Sequence, residues 1–317
     1  MKNARLKLLG LPVIDDVNDL SNYTNLSKHI IFQFSKNSSS YYKEYEIPKK
    51  AGGARTIYQP CKSLKGLQSW ILINILNKLK GSNASKGFEK GLSLNDNVIP
   101  HISSNVILNL DLKDFFPSIG ANRVFNIFYS IGYNKTISTI FTNLCTYNDS
   151  LPQGSPCSPK LANLICWNLD KRIQGFVGKR GIIYTRYADD LTFSGLIPQR
   201  VINILPIVKI IIGDENFKIN SKKTRFVGLS RKREITGLIL YKKTYGVGRE
   251  KYRNLRPKIY NLIKFDKDDM TQNKNLSHIS GWLSYIKSVD KKRHNLLIKY
   301  IEKLQNDFPN KLIVMLK

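Results

Sequence analysis

Three aspartates in this sequence have the type and spacing needed to bind divalent metal ions. Asp189 and Asp190 are adjacent in a Tyr-Ala-Asp-Asp segment, and Asp111 ends the apolar run at 106–111. Mg²⁺ prefers oxygen ligands and keeps several waters, so two or three carboxylates can hold two ions together with substrate phosphates. These residues therefore predict metal-assisted phosphoryl transfer.

The segments around these acids predict how they are positioned. An acidic pair in a turn is more often part of the solvated surface. For all three acids, the alternative interpretation is that they form salt bridges with the surplus basic residues. Residues 182–187 and 190–195 are rich in β-branched and aromatic types, which predicts a hairpin with the two acids at its tip. Alternation along a strand at 106–111 places Val106, Leu108 and Leu110 on one face and Ile107, Asn109 and Asp111 on the other. We expect the face that carries Asp111 to be free of apolar partners.

The other patterns predict a mixed α+β chain. Residues 41–47 and 55–58 alternate around a glycine-bearing turn and predict a second hairpin. Helices are predicted at 64–79, at 121–131 and from Ser158, with Pro159 at the first helical position. Beyond about Tyr241 the chain becomes helical and basic, which indicates a separate binding domain.

The charge balance favours a polyanionic partner. The chain has 51 Lys and Arg against 23 Asp and Glu, a net charge of +28, which repels itself unless a polyanion neutralises it. Residues 221–265 hold fourteen Lys or Arg and two acids, leaving +12. An isolated basic run is more often a solvated face or a membrane-surface helix, but an excess this broad is expected to lie along nucleic-acid phosphates.

Cysteine usage and hydropathy point to the cytosol. Cys61, Cys145, Cys157 and Cys166 form no CxxC pair, so reduced thiols are expected rather than disulfides or zinc ligands. The longest apolar stretch, 201–212, is interrupted by polar residues and is too short to span a bilayer. The sequence predicts a soluble cytoplasmic protein with no membrane contact.

Four segments match the order and approximate spacing of the palm motifs of reverse transcriptases: Asp-Leu-Lys-Asp-Phe-Phe at 111–116, Leu-Pro-Gln-Gly at 151–154, Tyr-Ala-Asp-Asp at 187–190 and Asn-Ser-Lys-Lys-Thr at 220–224. The chain further resembles the bacterial retron reverse transcriptases through Asn-Val-Ile-Pro-His at 97–101 and Ile-Thr-Gly at 235–237. That family usually has Ala where Val98 stands and Val where Ile235 stands. The resemblance extends from about Ala4 to Ser288.

The resemblance implies a right-hand polymerase and assigns roles at its centre. It implies an N-terminal helical segment at 1–36, fingers and palm at 37–240 with an antiparallel sheet plus helices, and a helical basic thumb at 241–317. Asp111, Asp189 and Asp190 would bind two Mg²⁺ ions with the main-chain carbonyl of Leu112. Lys223 would protonate the departing pyrophosphate, and Lys222 is the alternative.

The same resemblance implies contacts to nucleotide and RNA. Phe116 matches the ring that excludes a ribose 2′-hydroxyl, although it could instead be a second core phenylalanine beside Phe115. The other expected nucleotide contacts are Lys50, Arg55 and Gln153. The alternative for Lys50 and Arg55 is that they are only exposed charges on the hairpin. Expected RNA contacts are Asn97, His101, Ile235, Thr236, Gly237, Arg249, Lys251, Arg253 and Arg256. A histidine such as His101 is, by itself, more often structural.

The function implied is synthesis of single-stranded DNA from a structured noncoding RNA. In this family, DNA synthesis begins at the 2′-hydroxyl of a guanosine in the RNA, which gives a branched RNA–DNA product. The family serves antiphage defence together with a separate effector. The sequence shows no acidic cluster beyond Tyr241 that resembles a ribonuclease H site, so that activity is expected from another protein. The alternatives are a group II intron or diversity-generating type of reverse transcriptase, a template-directed RNA polymerase, and a catalytically silent RNA-binding scaffold.

Overall fold

The computed structural model describes residues 2–49, 52–264 and 269–308 of the 317-residue chain. Helices and three short antiparallel sheets make up these ranges, which confirms the predicted α+β class. Within them, no helix has both the length and the apolar character needed to cross a membrane. The four cysteines are unpaired, as predicted.

Three short helices begin the chain: α1 (Lys2–Leu8), α2 (Val17–Thr24) and α3 (Lys28–Lys36). The carboxylate of Asp16 accepts hydrogen bonds from the backbone N–H groups of Asn18 and Asp19 at the start of α2. The hydroxyl of Ser27 accepts from the N–H of Ile30 at the start of α3. These side chains satisfy donors that a helix leaves unpaired, and so they fix where α2 and α3 begin.

A two-stranded hairpin follows, formed by β1 (Tyr42–Pro48) and β2 (Ala54–Pro60). Its register pairs Ile47 with Arg55. Gly52 and Gly53 in its turn have φ angles of +88° and +78°, a left-handed conformation that glycine adopts at no steric cost. The predicted hairpin is confirmed: β1 is shifted by one residue from the predicted 41–47, and β2 is longer than the predicted 55–58.

The central sheet has four antiparallel strands in the order β4-β5-β3-β6: β3 (Val106–Asp111), β4 (Ile183–Tyr187), β5 (Asp190–Gly195) and β6 (Arg225–Val227). Two residues, Ala188 and Asp189, connect β4 to β5. Ala188 has a φ of +57°, as a tight two-residue hairpin requires. The strand predicted at 106–111 has those bounds.

Eight helices surround the hairpin and the central sheet: α4 (Lys62–Asn74), α5 (Leu94–Val98), α6 (Ala121–Ile131), α7 (Lys135–Cys145), α8 (Ser158–Ile165), α9 (Trp167–Gly178), α10 (Pro198–Asn203) and α11 (Leu205–Asp214). α6 has the predicted bounds and ends at Gly132. The helix predicted at 64–79 is α4 followed by a 3₁₀ turn at Leu76–Lys78. The helix predicted from Ser158 is divided at Cys166 into α8 and α9.

The C-terminal part combines a small sheet with three helices: β7 (Glu234–Ile235), β8 (Leu238–Leu240), β9 (Tyr245–Gly246), α12 (Arg249–Lys264), α13 (Asp269–Val289) and α14 (Lys291–Asp307). The carboxylate of Asp290 accepts from the N–H of Arg293 at the start of α14 and from the N–H of Val247 after β9. This one side chain therefore joins the small sheet to the helices. The sequence predicted the helices but not the sheet.

Buried apolar side chains form two clusters. The first extends from Leu6 to Phe217 and takes in the N-terminal helices, the helices of the palm and the central sheet. The second joins α12, α13 and α14 to β7 and β8 and includes Val98 and Ile107. Because Ile107 belongs to the second cluster, the face of β3 that carries Asp111 is covered rather than free of apolar partners. The division at 1–36, 37–240 and 241–317 stays a prediction.

Candidate active site

Two neighbouring strands bring the three predicted carboxylates to one end of the central sheet. Asp111 at the end of β3 is paired with Asp190 at the start of β5, and Asp189 lies in the adjoining turn. The N–H of Leu112 donates to the carbonyl of Asp189 at 2.9 Å. The backbone around the predicted carbonyl ligand is therefore fixed to the turn that carries the acidic pair.

The acidic pair has raised pKa values. Loss of solvent around the carboxyl group, followed by repulsion from Asp111, raises the pKa of Asp189. Loss of solvent and then repulsion from Asp189 and Asp111 raise the pKa of Asp190 to about 6. The residue Asp190 is exposed as a whole, so we attribute the effect to the crowding of its carboxyl group. Both causes disfavour the charged form, and an added cation would relieve them.

Lys223 is a cation in direct contact with this cluster. Its Nζ donates to Oδ2 of Asp111 at 2.6 Å, and this hydrogen bond raises the pKa of the lysine. The residue ends a 3₁₀ turn at Ser221–Lys223, and the N–H of Asn220 donates to the carbonyl of Asp111 at 2.8 Å. The Lys223 side chain is 59 % exposed, so its ammonium is accessible from solvent. Lys222 makes no such contact in the described part of the chain.

The three carboxylates fit magnesium in donor chemistry and in openness. Within residues 2–49, 52–264 and 269–308, no three or more acidic, histidine or cysteine side chains are arranged so that they could hold a metal ion by themselves. Mg²⁺ is commonly bound by one or two carboxylates together with waters and substrate phosphates rather than by protein ligands alone. Hard oxygen donors that repel one another at an open sheet end suit ions of this kind.

A cleft of about 840 Å³ adjoins the carboxylates. Lys49 and Arg55 line it from the hairpin, and Asp111, Asp189 and Lys223 line it from the palm. Arg55 is near enough to lower the pKa of Asp189. Phe116 and Gln153 line the same cleft, so the structure brings together most of the predicted nucleotide contacts. Lys50 lies outside the described residues. Lys49 was not among the predicted nucleotide contacts.

The segment that contains Gln153 is held against the hairpin through the backbone. The N–H of Tyr58 on β2 donates to the carbonyl of Gln153 at 2.8 Å. Gly154 has a φ of +135°, and a Cβ at this position would lie 2.4 Å from the carbonyl oxygen of Tyr58. Only glycine allows this approach, so the Pro-Gln-Gly sequence is explained locally by close packing on β2.

Three phenylalanines line the cleft beside the acids: Phe88, Phe115 and Phe116. Phe116 is half-buried, and its ring centroid is 5.3 Å from that of Phe115. Phe88 is 46 % exposed, and its ring centroid lies 6.4 Å from that of Phe116 and 6.2 Å from that of Tyr187. Phe88 was not predicted as a site residue, because it follows no periodic pattern and belongs to none of the four palm motifs.

A buried ion pair supports the acidic turn from the interior. Arg186 on β4 is 0 % exposed and donates to both carboxylate oxygens of Asp170 on α9, at 2.8 and 2.7 Å. Its Nη1 also donates to Oδ1 of Asn163 at 3.0 Å and to the carbonyl of Ala188 at 3.2 Å. The paired hydrogen bonds are strongly directional. The available sequence signal was a charged residue inside an apolar strand, next to the Tyr-Ala-Asp-Asp segment.

The structure contradicts a direct RNA contact at three predicted positions. Asn97, His101 and Ile235 are each at most 1 % exposed. His101 hydrogen-bonds through its two ring nitrogens with Ser194 (2.6 Å) and Thr185 (2.8 Å) on the central sheet. Burial lowers the pKa of His101 to about 4, so it is a neutral structural histidine.

The two segments that carried the retron resemblance contact each other. The Nδ2 of Asn97 donates to the hydroxyl of Thr236 at 3.4 Å. Val98 and Ile235 belong to the same buried cluster as the C-terminal helices. Thr236 and Gly237 are half-buried with φ angles of +45° and +82°. These segments therefore form part of the junction between the central sheet and the C-terminal helices.

The predicted basic RNA contacts lie on α12. Arg249, Arg253 and Arg256 are exposed, and Lys251 is half-buried because its Nζ donates to the carbonyl of Gly237 at 2.7 Å. The guanidinium of Arg256 lies 4.3 Å from the ring centroid of Tyr300. The three arginines are accessible to a polyanion, whereas Lys251 is hydrogen-bonded within the junction between the central sheet and the C-terminal helices.

Comparison with known proteins gives the family. A family profile described as "Reverse transcriptase (RNA-dependent DNA polymerase)" matches residues 47–240. The chain is 47% identical over 310 residues to the retron Ec86 reverse transcriptase of Escherichia coli, across 97% of this chain and 95% of that protein. It is 30% identical to the retron Mx65 reverse transcriptase of Myxococcus xanthus, across 90% of this chain and 71% of that protein.

Solved telomerase structures match the chain at low sequence identity. Telomerase from Candida albicans, in complex with the TWJ fragment of telomeric RNA, matches with a TM-score of 0.48 at 13% identity over 84% of this chain. Apo telomerase from Candida tropicalis matches with a TM-score of 0.47 at 14% identity over 71% of this chain. The chain spans 59% and 60% of the length of those two telomerases.

Proposed function

The chain belongs to the retron reverse transcriptases, which are RNA-directed DNA polymerases, and from this premise we propose that it copies a structured noncoding RNA into single-stranded DNA. The observation that carries the proposal is the meeting of Asp111, Asp189 and Asp190 at one end of the central sheet. Asp111 and Asp189 line a cleft that is also lined by Arg55 and Lys223. This combination places anionic metal ligands and Lys223 on the palm wall and the cationic Arg55 on the hairpin wall.

The incoming deoxynucleotide is bound through its phosphates by the hairpin. The Arg55 guanidinium clamps phosphate oxygens with two parallel hydrogen bonds, and Lys49 adds a point charge on the same wall. We propose that Lys50 also contacts the triphosphate. Gln153, which is fixed to β2 through its backbone, contacts the nucleotide from the adjoining loop.

The carboxylates and Lys223 serve the chemical step. Asp111, Asp189, Asp190 and the carbonyl of Leu112 would hold Mg²⁺, which would supply positive charge to acidify the attacking hydroxyl and to neutralise the pyrophosphate. The 3′-hydroxyl loses its proton to solvent water, and its oxygen bonds to the α-phosphorus as the bond from that phosphorus to the bridging oxygen breaks. Lys223 is protonated near neutral pH, as lysines ordinarily are, and it lies beside Asp111, so it can donate a proton to the leaving pyrophosphate.

Phe116 selects deoxynucleotides in this proposal. Its half-buried ring lines the cleft next to the strand that ends at Asp111. A ring fixed where a ribose 2′-hydroxyl would fall excludes that hydroxyl by overlap. The preference for deoxynucleotides distinguishes this enzyme from an RNA polymerase that uses the same metal chemistry.

The retron-specific features are part of the same proposal. DNA synthesis begins at a guanosine 2′-hydroxyl of the noncoding RNA and gives a branched product, and a ribonuclease H supplied by another protein removes the copied template. The system acts with a separate effector in antiphage defence in the bacterial cytoplasm. Sequencing the nucleic acid that copurifies with the protein from its native host tests the template, the priming nucleotide and the branch together.

Double substitution of the acidic pair tests the enzyme proposal. In Asp189→Asn with Asp190→Asn, we expect DNA synthesis on a primed RNA template to be lost while the dissociation constant for the RNA stays unchanged. The isosteric amides remove the negative charges and preserve the size of the turn. Unchanged synthesis in this variant would support the catalytically silent RNA-binding scaffold instead.

A further inference from the structure

We propose that Phe88 is a positioning residue for sugar selection, and that it acts by holding the ring of Phe116 in place. The inference rests on the role proposed above for Phe116. It concerns a residue outside the four palm motifs, on the segment that connects α4 to α5. The conformation of Phe88, the hydrogen bonds that hold its neighbours to the palm and its ring contacts support the inference.

The conformation of Phe88 is costly in two respects. Its φ is +60°, a left-handed conformation that bulky side chains rarely adopt. Its ring is 46 % exposed in a cleft lined by charged groups, which include Lys49, Asp189 and Lys223. Strained backbone of this kind persists only where the surrounding structure fixes it, and it is concentrated at functional sites.

Both neighbours of Phe88 are attached to the palm. The carbonyl of Gly87 accepts from Nδ2 of Asn163 at 2.8 Å. The carboxylate of Glu89 accepts from the same Nδ2 at 3.0 Å and from Nζ of Lys160 at 2.6 Å. These bonds hold the chain on each side of Phe88, so its position is determined by α8.

The attachment extends to the acidic turn. The Oδ1 of Asn163 accepts from Nη1 of Arg186, which also donates to the carbonyl of Ala188. A Cβ at Gly87 would lie 3.0 Å from the backbone nitrogen of Ala188, so the Gly87 backbone packs directly on the turn. Phe88 is therefore positioned by the same groups that position the catalytic carboxylates.

The ring of Phe88 packs beside the ring of Phe116. Their centroids are 6.4 Å apart with an interplanar angle of 47°, and Phe115 lies 5.3 Å from Phe116. These distances are within the range in which aromatic pairs attract. Removal of the Phe88 ring would leave space beside Phe116, into which that ring could turn and admit a 2′-hydroxyl.

The test measures kcat/KM for a deoxynucleotide and for its ribonucleotide on one primed RNA template. The variants are Phe88→Ala, Phe88→Tyr, Phe116→Ala and the double alanine variant of the full chain. Phe32→Ala is the matched control, because Phe32 is a 53 % exposed phenylalanine on α3, away from the cleft. Thermal unfolding of each variant establishes that it is folded.

We expect Phe88→Ala to lower the deoxynucleotide preference by about 2- to 10-fold, the range that the loss of one aromatic pair allows. The change should come from faster ribonucleotide use. Phe88→Tyr retains the ring and should retain the preference, as should Phe32→Ala. The double variant should be no less selective than Phe116→Ala, because Phe88 acts only through that ring.

The outcomes separate the two proposals. If Phe116→Ala leaves the preference unchanged, the role proposed for Phe116 fails. If Phe116→Ala lowers the preference but Phe88→Ala does not, or if the two losses add in the double variant, the inference about Phe88 is overturned and Phe116 keeps its role. If Phe88→Ala does not fold, Phe88→Leu replaces it, and the same criteria apply.

Discussion

The acids at the ends of β3 and β5 are only partly neutralised by side chains of the protein. Lys223 contacts Asp111, and both Asp189 and Asp190 have raised pKa values because of lost solvation and mutual repulsion. Such carboxylates gain more from a bound cation than solvated ones do. The function proposed for them therefore depends on a local excess of negative charge inside a strongly basic protein.

Lys223→Met should slow DNA synthesis by about 10²- to 10⁴-fold, the range expected for loss of a general acid. Lys223 also lowers the pKa of Asp189 and Asp190, so the acid limb of the pH–rate profile should move to higher pH. Single-turnover kinetics across pH measure both effects. Lys222→Met is the control, and a larger defect in that variant would transfer the role to Lys222.

His101 gives a stability prediction with a defined sign. Burial lowers its pKa in the folded protein from 6.5 to about 4. As pH falls through this window, the unfolded chain binds a proton that the folded chain does not, so the free energy of unfolding decreases. At pH 5 this loss amounts to about 2 kcal/mol relative to pH 7.5.

His101→Gln should reduce that acid sensitivity, because glutamine does not titrate. Urea unfolding at pH 7.5 and 5 should show a stability loss about 2 kcal/mol smaller in the variant than in the wild type. Asp190 contributes with the opposite sign, since its folded pKa is raised to about 6, but it does so in both proteins. Equal pH dependence in the two proteins would show that His101 is not buried as a neutral ring.

Among single residues, those whose role follows from local spacing were predictable. Asp111 was expected at a strand end and Asp190 at a hairpin tip, and both lie there. Phe88 and the pair formed by Arg186 and Asp170 were not predictable, because their roles depend on contacts between segments that are distant in sequence. The burial of His101 was missed for the same reason: its partners, Ser194 and Thr185, belong to β5 and β4.

At the level of elements, α9 supports the β4–β5 hairpin through the buried pair of Arg186 and Asp170. The guanidinium also reaches the carbonyl of Ala188 within the turn, so helix, strand and turn share one network. Tyr184 on β4 adds a hydrogen bond from its hydroxyl to Asp170 at 2.7 Å. The hairpin therefore has polar as well as apolar support.

Asp170→Asn should destabilise the protein by about 3–5 kcal/mol, because it leaves the buried Arg186 charge without its anion. Asp214→Asn is the matched control: Asp214 pairs with Arg172 at 2.6 Å, but its side chain is 52 % exposed, and such pairs contribute less than about 1 kcal/mol. Urea unfolding measures both. Similar effects in the two variants would contradict a structural role for the buried network.

The elements were predicted to different degrees for physical reasons. β3 and α6 matched because alternation and helical periodicity were uninterrupted and their ends were marked by Asp111 and Gly132. The break between α8 and α9 at Cys166 carries no proline or glycine signal. The strands of the small sheet, such as β7 at Glu234–Ile235, are too short to show alternation.

At the scale of the whole molecule, two apolar clusters meet at β3. The strand contributes Val106, Leu108 and Leu110 to the first and Ile107 to the second. The C-terminal helices are thereby packed against the strand that carries Asp111. We propose that their exposed basic residues, which are held in place by this packing, bind the RNA.

RNA binding by the full chain should weaken steeply with salt. Neutralising about six to ten phosphates releases a comparable number of counterions. Arg249→Gln with Arg253→Gln should lower the slope of log K against log salt by about two. Lys28→Gln with Lys36→Gln, which changes two exposed cations on α3, should leave it unchanged. A flat salt response would contradict the assignment of α12 to RNA binding.

The most direct test of the central claim is single-nucleotide incorporation on a primed RNA template by Asp111→Asn compared with Asp114→Asn. Asp114 lines the same cleft, is exposed and has a φ of +47°, a conformation that asparagine tolerates. We predict that Asp111→Asn loses at least about a thousandfold in rate with unchanged RNA affinity, while Asp114→Asn stays close to wild type. Equal rates in the two variants would contradict catalysis at this sheet end.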